Sequence, residues 1–111
     1  MNTLAGPDCT TMTEVRAGVD GVDRELVALL ARRFGYMDAA ARIKPTREAV
    51  RDEGRKAQVI ANVREHARAH ALPEDALATL WDRLVEASIA YEFDKFDARQ
   101  SMCSGAQRQQ P

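Results

Sequence analysis

An apolar seam early in the chain constrains this sequence more than any other feature. Met12, Val15, Val19, Val22, Leu26, Leu29, Tyr36, Ala40 and Ile43 recur at heptad-like spacing, and no proline interrupts them before Lys44-Pro45. That spacing puts them along one face of a single helix. Thr11-Met12-Thr13-Glu14 fits a capping box at its start, and Pro45 forbids continuation past Lys44. Gly18 and Gly21 each weaken the helix by about 1 kcal/mol relative to alanine without ending it. Residues 12–44 as one helix would span about 50 Å. A compact chain of 111 residues is roughly 35 Å across. One subunit therefore cannot cover both ends of its own seam, and a second copy of the chain is the simplest partner.

The remainder reads as two more helices. The second is expected from about Gly54 to His70, carrying Val59, Ile60, Val63 and Ala67. Leu72-Pro73 breaks the chain, and the third helix is expected to run to about Ala98 on Leu77, Leu80, Trp81, Leu84, Val85, Ile89, Phe93 and Phe96. No segment shows strand-like alternation. The expectation is a single all-α domain over residues 1–111, with flexible termini at 1–10 and 99–111.

Charge narrows the function classes. Sixteen basic residues against 17 acidic ones give a formal net charge of −1, so no nucleic-acid partner is expected. No apolar run approaches the roughly 18 residues of a membrane span, and Met1 to Thr11 lacks the layout of a secretory signal, so a cytoplasmic protein is expected. Cys9 and Cys103 have no metal-ligand spacing, and sequence alone does not pair them. His66 and His70 share a helix face but bring no third ligand, so no metal site is expected.

Several residues fit the packing poorly. Arg33 falls where the seam calls for an apolar side chain, and a buried guanidinium needs an anion. It either binds a ligand, snorkels, or pairs with a carboxylate such as Glu86 or Asp94. Ser88 and Glu92 extend the apolar line of the third helix; Glu92 either faces a site or pairs with Lys95. Arg16 borders the seam, where Asp20 is a possible partner, and Lys44 suits the negative end of the helix dipole. Together they offer several cations and one acid to a low-dielectric interior. Two arginines suit a dicarboxylate, because guanidinium groups bind carboxylates bidentately. No nucleophile–base pair, glycine-rich phosphate loop or cysteine–histidine arrangement accompanies them.

Arg16, the heptad helix with Arg33, the run Ala40-Ala41-Arg42-Ile43-Lys44, and a third helix with Ser88 and Glu92 resemble the all-helical (type II) chorismate mutases over positions 8 to 97. Pro7-Asp8-Cys9-Thr10 and the stretch from Arg32-Arg33 to Lys44 are similar to the branch containing isochorismate pyruvate lyases. The resemblance implies three helices per subunit in an intertwined homodimer with two equivalent sites and no cofactor. It implies that Arg33 holds one substrate carboxylate and that Arg16 reaches the other across the dimer. Lys44 and Glu92 would contact the ether oxygen, Ser88 would lie near the ring-proximal carboxylate, and Asp52 and Arg55 would help close the site.

Two departures accompany the resemblance. Lys56 stands where many mutases carry a glutamate for the ring hydroxyl, and the segment between Lys44 and Arg55 is one residue short. The expected activity is rearrangement of chorismate to prephenate. Loss of pyruvate from isochorismate is the alternative, and a non-catalytic helical dimer that binds a ligand or partner is the reading of another class. The glutamate at 92 leans toward the mutase, since glutamine is expected there in the lyase.

Overall fold

The computed structural model describes residues 4–108, with side chains described to residue 102. Among the described residues there are three α-helices and no strand: α1, Met12–Ile43; α2, Glu53–Ala69; and α3, Glu74–Arg108. Short 3-10 turns occupy Gly6–Asp8 and Arg47–Ala49. The chain falls into two compact units, residues 1–36 and 37–111.

In the first unit, the start of α1 is fixed by the capping box read from the sequence. The Glu14 N–H donates to Thr11 Oγ1 at 3.2 Å, and Glu14 Oε1 accepts from the Thr11 N–H at 2.9 Å and the Thr10 N–H at 3.0 Å. These donors, the Thr10 N–H foremost, hold the Glu14 carboxyl below its ordinary pKa. Leu4 and Cys9 line an apolar groove with Val15, Val19 and Val22. The seam itself is open in the single chain: Val22 is 53% exposed, Leu26 49% and Leu29 52%.

In the second unit, α1 ends at Ile43, although the Lys44 N–H still donates to Ala40 O at 2.9 Å. Pro45 then turns the chain out. Asp52 caps α2 by accepting from the Arg55 N–H at 3.0 Å. At the other end of α2, Ala71 takes a left-handed conformation at φ 55°. The Leu72 N–H returns to Ala67 O at 2.8 Å and the Ala71 N–H to Arg68 O at 3.2 Å. This is a Schellman closure with alanine at the position that favours glycine.

Pro73 immediately precedes α3. Arg64 and Arg68, from α2, bind Glu74 at 3.2 and 2.8 Å, which ties α2 to the first turn of α3. Rather than ending near Ala98, α3 continues to Arg108; the residues from Arg99 onward contain no proline before Pro111, so nothing in the backbone stops the helix. The core of this unit is Ala41, Val50 and Phe96, with Ile89 and Phe93 packed against it.

Candidate functional site

Lys44 and Glu92 come together from opposite ends of the second unit's sequence. Glu92 is only 4% exposed on the inner face of α3, on the same line as the core residues Ile89 and Phe96. Its Oε2 accepts from Lys44 Nζ at 2.6 Å. The same ammonium donates to the Val50 carbonyl at 3.3 Å. Ser88, one turn before Glu92, is 3% exposed, and its Oγ donates to Leu84 O at 2.7 Å. Glu92 is buried, but the Lys44 side chain keeps 29% of its surface exposed; such a pair is weak support for stability, because desolvation offsets part of the attraction.

Glu92 pairs with Lys44 rather than with Lys95, whose ammonium lies 3.9 Å from Asp38 and over the Tyr91 ring. Within the second unit, Glu86 is bonded to two cations. Its carboxylate accepts two bonds from Arg51, at 2.8 and 3.2 Å, and one from Lys56 at 2.8 Å. Lys56 also bridges to Asp82 at 2.9 Å. Arg51 first and Lys56 second hold the Glu86 carboxyl down at about 2. Glu86 in turn is the main cause of the raised Lys56 pKa.

Of the other expected site residues, Asp52 and Arg55 lie exposed on the first turn of α2. Asp52 serves as its cap, and Arg55 donates to Gln58 Oε1 at 2.8 Å. Arg16 and Arg33 belong to the first unit, Arg16 exposed and Arg33 half-buried on α1. Among the described residues, no group of three or more His, Cys, Asp or Glu is arranged to hold a metal. His70, the C-cap of α2, lies with Nδ1 2.9 Å from His66 O.

Sequence reasoning missed the segment between α1 and α2. Val50, 3% exposed, plugs the core beside Lys44. Arg47 forks onto Asp97 at 3.0 and 3.3 Å and lies 4.4 Å over the Phe93 ring. Arg51 forks onto Glu86. The two arginines flanking Glu48-Ala49-Val50 were a visible signal, but their partners lie 50 and 35 positions away.

A model of the type II chorismate mutase family matches residues 15–93. The chain belongs to the type II chorismate mutase family. That stretch includes Arg16, Arg33, Lys44, Ser88 and Glu92. A relative described as an isochorismate pyruvate lyase, from Pseudomonas aeruginosa, is 28% identical over 83 residues, covering 75% of this chain and 82% of that protein. Family membership places the protein among enzymes of the chorismate mutase and isochorismate pyruvate lyase group, which act on small chorismate-like substrates. Within that family this chain has Lys56 tied to Glu86 and Asp82, so the side chain at the departed position is engaged with carboxylates on α3.

Proposed function

We propose that this protein rearranges chorismate to prephenate, as a cofactor-free, intertwined homodimer of the cytoplasm. The observation that carries this reading is the pairing of half-buried Lys44 with buried Glu92 at 2.6 Å. A pericyclic rearrangement needs no nucleophile. It needs the compact conformer of the substrate held in place and the charge growing on the breaking ether oxygen stabilised. Lys44 has three N–H donors; Glu92 and the Val50 carbonyl engage two, and the third suits the ether oxygen. Glu92, once protonated, supplies a second donor to that oxygen. Both contacts strengthen as the bond breaks, which is the condition for raising kcat rather than only tightening binding.

In this reading Arg33 and Arg16 hold the two carboxylates, with Arg16 coming from the partner subunit. Ser88 lies beside the ring-proximal carboxylate, and Asp52 and Arg55 close the site. The open seam at Val22, Leu26 and Leu29 supports the dimer, since single subunits rarely leave so long an apolar row in water. No described helix is long and apolar enough to cross a membrane.

The second reading, elimination of pyruvate from isochorismate, is favoured by the relative from Pseudomonas aeruginosa. Incubating the purified protein separately with chorismate and isochorismate and identifying the products decides between them. Prephenate from chorismate at the higher kcat/KM is expected. Salicylate and pyruvate from isochorismate as the faster reaction would replace the first reading with the second, and turnover of neither would leave a binding protein.

A further inference from the structure

We infer that Arg51 and Glu86 are positioning residues that act on Lys44 through the Val50 carbonyl; this rests on the role proposed for Lys44 above. Lysine is a poor choice for a fixed donor. Its four-carbon stem is flexible, and an ammonium has no preferred plane. The site needs Nζ held to a fraction of an ångström, because misplacement by about 1 Å can cost a hundredfold in rate. Glu92 supplies one fixed point, being buried on a long helix. The other is the Val50 carbonyl, which belongs to a segment between helices with no regular ladder of its own beyond the turn Arg47–Ala49.

What fixes that segment is a pair of forks onto α3. Arg47 binds Asp97 through two nitrogens, and Arg51 binds Glu86 through two. Glu86 and Asp97 lie three helical turns, about 16 Å, apart, and Glu92 falls between them in sequence. The segment is thus pinned on either side of the residue whose partner it must orient. Isolated surface ion pairs contribute little, but bidentate arginine–carboxylate pairs within a network restrict geometry. Arg51 directly follows Val50, and its guanidinium is also held by Glu53 at 2.8 Å. The Val50 side chain seals the same point from within, against Ala41 and Phe96. Releasing the Arg51–Glu86 fork leaves the apolar plug but frees the peptide that carries the carbonyl.

The test uses the full chain and reads the amines directly. The protein has three lysines, Lys44, Lys56 and Lys95, whose reactivity toward sparing acetic anhydride can be followed separately by mass spectrometry. In Glu86→Gln, Lys44 should label severalfold faster while Lys95, which touches none of this network, keeps its rate. Arg51→Met approaches the same fork from the other side and leaves Lys56 its carboxylates, so Lys56 becomes a second reference. In both variants kcat on chorismate should fall about tenfold with KM little changed, the mark of a misplaced transition-state donor. Unchanged Lys44 labelling in either folded variant overturns the proposal. So does acceleration shared by Lys95, which would mean general loosening. If the wild type turns over neither substrate, the proposed reaction fails, and the labelling still decides whether the fork positions Lys44.

Discussion

Glu92 lies 2.6 Å from Lys44 and is proposed to act with it on the breaking ether oxygen. Glu92→Gln keeps a hydrogen-bond donor at that position and should retain much of the activity. Glu92→Ala should lower kcat about 100-fold, as removal of a donor to a developing oxyanion does. Full activity in Glu92→Ala, measured as kcat at saturating substrate, would remove Glu92 from the mechanism. Glu86 acts on stability instead. Its pKa is held down to about 2 from 4.5 in the folded chain, so its contribution to stability is complete above pH 4.5 and disappears as pH falls through 2. The Tm of Glu86→Gln should lie below that of the wild type at pH 6, and the gap should close across that acid window. A gap independent of pH would show that the charge on Glu86 is not what stabilises the fold.

At the scale of elements, the turn from α2 to α3 carries a correctable cost. Ala71 sits at φ 55°, where a Cβ is disfavoured by roughly 1–2 kcal/mol. Glycine removes that penalty but loses more entropy on folding, so Ala71→Gly should stabilise by about 0.5–1 kcal/mol and raise Tm by a few degrees. Thermal unfolding followed by circular dichroism measures this, and a lower Tm would mean that Ala71 makes packing contacts worth more than its strain. The same turn shows why helix boundaries can be read unevenly. The start of α1 is written locally, in the Thr11–Glu14 box, and the start of α2 in the Asp52 cap. The end of α2 has no glycine, and the two bonds that close it depend on Ala71 adopting a conformation its chemistry resists.

For the whole molecule, the open seam and the proposed reach of Arg16 across a dimer can be tested together. The chain should sediment as a dimer at micromolar concentration. Arg16→Ala and Arg33→Ala should each lose about 2–5 kcal/mol of transition-state binding, or roughly 30- to 5,000-fold in kcat/KM, while remaining folded. Mixing the two variants and allowing subunits to exchange should restore part of the activity, because one site of each heterodimer then combines two native arginines. No recovery after demonstrated exchange would place both arginines in the same subunit's site, and a stable, active monomer would dispose of the dimer.

Periodicity and punctuation, both local, settled the helices. The seam from Met12 to Ile43, Pro45 after Lys44 and Leu72-Pro73 predicted three helices whose observed starts and breaks lie close to expectation. The end of α3 was not legible, because a polar run without proline or a capping glycine at the expected stop neither demands a helix nor forbids one. Glu92 could be singled out as a charge on an apolar line and Lys44 as a cation at the end of α1, but 48 positions separate them, and only the tertiary fold made them partners. The same holds for Arg51 with Glu86 and Lys56 with Asp82: with 30% of residues charged, sequence offers every cation many possible anions. Tertiary structure chose among them, because only a folded backbone brings particular side chains within hydrogen-bond reach.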